Sequence, residues 1–200
     1  MANSHPRPKP LLCVSAHWYG PGQQVSTADQ PETIYDFYGF PDELYRISYP
    51  ASGAQLLAQK AATLLGPATA PNPTRGLDHG ALSVLPFMYP GADIHACQLQ
   101  VNAELPPAQS YANGKLLQPL RDAGVLMLGS GNIVHNLPRV NWEMPGGYAW
   151  ADEFDAYIKN AIQTVQHNKV IHYEEAGPSA QLAFPMRDHY DPLLYTLGTT

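Results

Sequence analysis

Short apolar runs alternate along this chain with segments whose apolar residues recur every three to four positions, and this alternation constrains the fold most. Leu11-Leu-Cys-Val-Ser-Ala16 reads as a buried strand behind a proline-rich lead. Residues 53–65 then place Leu56, Leu57, Ala61, Leu64 and Leu65 at helical spacing and stop at Gly66-Pro67. Residues 81–89 predict a short helix, and 93–101 alternate as a strand with both faces partly buried. Pro107 to Ala123 predicts a helix closed by Gly124, and Val125 to Leu128 a third strand. Trp150, Phe154, Ile158 and Ile162 mark an amphipathic helix over 149–165, and 187–197 could form one more. Residues 20–50, rich in Gly, Pro, Asp and Tyr, read as a long ordered loop. Strand and helix in turn predict a single α/β domain whose mainly parallel central sheet is flanked by helices.

Composition narrows the function classes. Apolar residues make up 44% and charged residues only 14%, which excludes disorder. The net charge of −6 and scattered basic residues argue against a nucleic-acid partner. No apolar run approaches the roughly 20 residues that cross a bilayer, and the lead from Met1 to Pro10 lacks the apolar core of a secretory signal. The expectation is a cytoplasmic protein with no membrane partner. Cys13 and Cys97, each inside a strand-like run, are expected to be two buried thiols rather than a disulfide.

The eight histidines carry the chemistry. Ligands of such sheets bind beyond the carboxyl ends of the strands, and two histidine-bearing segments fall there. His17, in Ser15-Ala-His-Trp18, is either a metal ligand oriented by a second acceptor or a histidine bonded to loop backbone. His135 follows Gly129-Ser-Gly-Asn132, where glycines let backbone approach a ligand and Asn132 and Asn136 can orient an imidazole; a simple turn with a capping Asn is the alternative. His79 follows Asp78, a candidate helix cap, and its ring at a helix N-terminus would favour the neutral form. His189, in Arg187-Asp-His-Tyr190, says little alone, and His5, His95, His167 and His172 lack comparable context. Phosphate-cradling loops, paired-cysteine sites, His-Glu-x-x-His helices and serine-nucleophile elbows are absent.

Several segments together resemble the class III extradiol ring-cleaving dioxygenases, the LigB-like superfamily, in its DOPA-dioxygenase-like branch. They are Pro8–Tyr19, Thr33–Pro41, Tyr49-Pro-Ala51, Gly76-Leu-Asp-His-Gly80, Ser83–Pro90, Gly129–Leu137 and His189–Tyr195, in family order and over nearly the whole chain. The resemblance implies oxygen-dependent opening of a catechol beside, not between, its two hydroxyls. It implies a metal, Fe2+ for the redox chemistry or Zn2+ without a redox role, held by His17 and His189. His135 would be the acid/base residue or a further ligand, and His79 would contact a substrate hydroxyl or the oxygen. The partners implied are a small aromatic catechol and O2.

Members of that branch open with a further apolar strand ending in a His-Gly-Ser-Pro-like turn that supplies a metal ligand. None occurs among the sixteen residues before His17, and relatives continue past Gly198, so the chain is expected to be trimmed at both ends. An exposed sheet edge would then invite a homo-oligomer. Two further functions are weighed against ring cleavage: a non-catalytic binding or assembly module, and a zinc hydrolase on the same fold. The loop over 20–50 is expected to shape substrate choice.

Overall fold

The structure, a computed structural model, describes residues 10–200; His5 and most of the proline-rich lead lie outside the described residues. Five strands form one sheet: β1 (Pro10–Gly20), β2 (Gln23–Ser26), β3 (Thr69–Asn72), β4 (His95–Asn102) and β5 (Leu126–Ser130). Their order is β3-β2-β4-β1-β5. All pairings are parallel except β2 with β4, which meet antiparallel at Val25 and Leu99. The α/β expectation holds, with the mainly parallel sheet it called for.

Alternation along β1 builds two cores at once. Leu12 and Val14 enter one face with Leu99, Val101, Leu117 and Leu120, while Leu11 and Cys13 enter the other with Leu77, Leu82 and Leu85. The first face is covered by α1 (Gln55–Leu65) and α4 (Pro107–Asp122). The second is covered by the short helices α2 (His79–Leu82) and α3 (Leu85–Met88). A third cluster joins α5 (Ala149–Gln163), α6 (His167–Ile171), α7 (Pro178–Ala183) and α8 (Asp191–Gly198) around Phe154, Phe184, Tyr190 and Leu194. Cys13 and Cys97 fall on opposite faces as free, buried thiols, and burial pushes both up from the ordinary thiol range. Among the described residues no helix is long and apolar enough to cross a membrane.

The structure refines several expected boundaries. The first strand does not stop at Ala16 but runs to Gly20, across a break in register with β4 between Val14 and Tyr19. Such an irregularity re-aims side chains, and His17 lies inside it. The loop over 20–50 contains β2 and a 3-10 turn at Leu44–Arg46. The single helix expected over 81–89 is two, interrupted at Ser83 and Val84.

Candidate functional site

β1, α2, the loop after β5 and the segment before α8 converge on four imidazoles. In spatial order they run His79, His17, His189, His135. The His79 and His17 rings lie 3.5 Å apart between centroids, His17 and His189 meet edge to face at 5.0 Å, and His189 stacks on His135 at 3.5 Å. All four histidines singled out from the sequence are thus brought together. His95, His167 and His172 stay outside the row; His95 faces the Gly53 carbonyl and His167 the Tyr111 hydroxyl.

Buried Asp78 ties these elements together. Its carboxylate accepts from Ser15 Oγ at 2.8 Å, from Arg75 at 2.6 Å and from the Ala81 N–H at 3.3 Å, and so caps α2 as its position suggested. Arg75 also donates to the His17 carbonyl at 3.2 Å and lies over the Trp18 ring at 4.8 Å. Residues 15–18 of β1 are therefore locked against the start of α2, where His79 sits.

On the other side, the Asn132 N–H donates to the His189 carbonyl at 3.0 Å. A side chain at Gly131 would meet that carbonyl at 2.2 Å, so only glycine permits the approach. The close neighbour admitted there is the His189 backbone rather than a ligand. Asn132 does orient an imidazole, that of His189, whose Nδ1 lies 3.0 Å from its Oδ1. Asn136 instead donates to the Leu182 carbonyl at 2.7 Å, holding the loop that carries His135.

These contacts set proton positions. Asn132 Oδ1 only accepts, so His189 carries its proton on Nδ1 and keeps the Nε2 lone pair. Burial and the neighbouring imidazoles His135, His17 and His79 push His189 down to about 3. Burial likewise lowers His17, helped by His79 and opposed by Asp78, Asp36 and Asp188. Both are neutral at physiological pH, the form that ligates metals. Asp36 accepts from the His79 backbone N–H at 3.0 Å and lies 2.8 Å from its Nδ1. Burial works against ionisation of Asp36, but these hydrogen bonds outweigh it and hold its carboxyl below the usual range. The carboxylate therefore accepts a hydrogen bond from the Nδ1–H of His79.

Among the described residues, two sets of three donors lie close enough to share a cation: His17 with Asp36 and His79, and His135 with Asp188 and His189. Within each set the donor atoms are within 4.8 Å of one another. Two imidazoles and a carboxylate suit a divalent transition metal. The sequence reading missed both carboxylates. Asp36 lies within the Thr33–Pro41 segment and Asp188 beside His189, but a carboxylate in a polar loop has many ordinary uses. A cavity of about 340 Å³ lies against the row, lined by His17, His79, Ser83, Ser130, Asn132 and His189 among others.

The chain is similar to known proteins over nearly its whole length. The chain is 41% identical over 200 residues to a 4,5-DOPA dioxygenase extradiol of Escherichia coli (strain K12), covering 96% of this chain and 73% of that protein. It is 38% identical over 196 residues to the 4,5-DOPA dioxygenase extradiol of Beta vulgaris, with the same coverage. The crystal structure of an uncharacterized protein from Escherichia coli K12 superposes with a TM-score of 0.84 at 35% identity, covering 99% of this chain and 78% of that one. The model of the catalytic LigB subunit of aromatic ring-opening dioxygenase matches residues 2–200, and the chain belongs to that family.

Proposed function

We propose that residues 1–200 form one catalytic domain that opens the ring of a substituted catechol, the class to which DOPA belongs, beside its two hydroxyls with O2. The observation that carries this reading is the row of four imidazoles in mutual contact, bordered by Asp36 and Asp188. His17 and His189 hold the metal, and His135 is either a third nitrogen donor or the acid/base residue beside it. The neutral state of His17 and His189, and the Asn132 contact that frees His189 Nε2, fit that duty. Iron(II) held there supplies the redox chemistry with O2, whereas zinc would fill the same donors without it.

The chain's own residues then handle protons. Asp36 keeps the His79 proton on Nδ1, so Nε2 accepts from a catechol hydroxyl in the adjoining cavity. Ser130 Oγ spends its proton on the Gly80 carbonyl at 2.7 Å, which holds α2 and its histidine against β5. A hydrolase on this fold would need a carboxylate free to act on water. Asp36 is taken up by His79, and Asp188 falls in the donor set of His135 and His189.

Oxygen uptake with catechols after anaerobic loading with iron(II) tests the reading. Turnover is expected, with kcat/KM falling by roughly a hundredfold or more in His79→Ala. Absence of oxygen uptake with every catechol tried would overturn it.

A further inference from the structure

A second cavity shares His79 and Ser83 with the first. It measures about 300 Å³, within the range of small-molecule pockets, and is walled by Phe37, Phe40, Leu44, Ile47, Leu82 and Phe87. The Phe37 ring stands edge-on to the His79 ring at 5.5 Å, so the apolar wall begins at the proposed proton acceptor. Among the described residues, His79 is the one titratable residue in the lining. Phe87 is 84% exposed and Phe40 54%, a large apolar surface left for something to cover.

The half-buried arginines do not serve this cavity. Arg75 is held by Asp78 and the His17 carbonyl, and Arg187 donates to the Leu105 carbonyl at 2.8 Å. A substituent carrying an ammonium and a carboxylate would lose water here without gaining a charged partner among the lining residues, which is costly. An alkyl chain would gain roughly fourfold in affinity for each methylene buried.

We propose that this second cavity receives an apolar substituent of the catechol, so that the chain prefers an alkyl- or aryl-substituted ring to one bearing a charged amino-acid side chain. The inference rests on the ring-cleavage reading and names the substrate class of the same site. The ring lies against the histidines, and its substituent passes His79 and Ser83 into the pocket of Phe37, Phe40, Leu44, Ile47 and Phe87.

The test compares 4-propylcatechol, catechol and DOPA on the iron(II)-loaded chain, by kcat/KM in air and by anaerobic calorimetry. The expected result is 4-propylcatechol ahead of catechol by roughly tenfold or more, with DOPA behind both. In Phe87→Asp and Ile47→Asp, both at exposed positions, the ratio of 4-propylcatechol to catechol should fall toward one. DOPA binding or reacting as well as 4-propylcatechol overturns the inference while leaving ring cleavage standing. If no catechol is turned over, the ring-cleavage reading fails, and calorimetry alone decides whether the apolar pocket selects its occupant.

Discussion

Asp191 illustrates what burial does to a single carboxyl group when few donors reach it. It is fully buried, neither oxygen has a hydrogen-bond partner among the described residues, and Arg187 Nη1 stands 3.8 Å away. Burial therefore pushes it up to about 6, against the pull of Arg187. His189, two residues earlier, is pushed the other way, to about 3. The two act oppositely on stability. Between 3.8 and about 6 the folded chain holds the Asp191 proton more tightly than the unfolded chain, so this group's contribution is lost as pH rises. Between about 3 and 6.5 the unfolded chain holds the His189 proton more tightly, so its contribution is gained as pH rises. Asp191→Asn removes the first effect and keeps the shape. Urea unfolding of the metal-free chain from about pH 4 to 6 should show stability rising more steeply in the variant, by up to about 1.4 kcal/mol per pH unit. Parallel curves for the two proteins would contradict the buried, protonated Asp191.

Among the elements, α8 matters most to the site because the segment leading into it carries His189. Its crossing with α4 is a backbone contact between two glycines. A side chain at Gly114 would stand 2.2 Å from the Tyr195 carbonyl, and one at Gly198 would stand 2.3 Å from the Tyr111 carbonyl. Tyr195 then reaches across the sheet to donate to Gln23 Oε1 at 3.1 Å. Gly114→Ala, ordinarily favourable in a helix, should instead cost about 1–3 kcal/mol through overpacking, read as a fall in Tm. An unchanged Tm would mean that the helices do not cross this closely. From sequence, Gly114 is only a weak helix former; its reason lies 84 residues away at Gly198. The same limit separates the legible elements from the others. Helices α1, α4 and α5 show their apolar periodicity locally, and Gly124 marks its turn with φ of 91°. β2 (Gln-Gln-Val-Ser) and β3 (Thr-Ala-Pro-Asn) carry no apolar pattern. They are strands because they pair with each other, and Pro71 is tolerated because β3 lies at the sheet's edge. His17, His79 and His135 were legible from their positions, and His189 from the family resemblance. Asp36 was not, since only folding brings it against His79, 43 residues on.

At the scale of the whole molecule, β1 is flanked by β4 and β5 in parallel, and the histidines gather toward the carboxyl ends of β1 and β5. Ligand sites of such sheets lie there because loops from adjacent strands diverge and leave a crevice. Here the crevice is filled from four segments: β1 brings His17, α2 brings His79, and the α8 side brings His189 against His135 from the loop after β5. Burial, helped by the neighbouring imidazoles, keeps His17 and His189 uncharged, with lone pairs available to a cation. The most direct test counts metal: load the chain anaerobically with iron(II) or zinc, desalt it, and measure ions retained per chain. Roughly one equivalent, lost in His17→Ala and in His189→Ala, is the predicted result. No retained metal, or retention undiminished in both variants, would contradict the assignment of these histidines as the metal site.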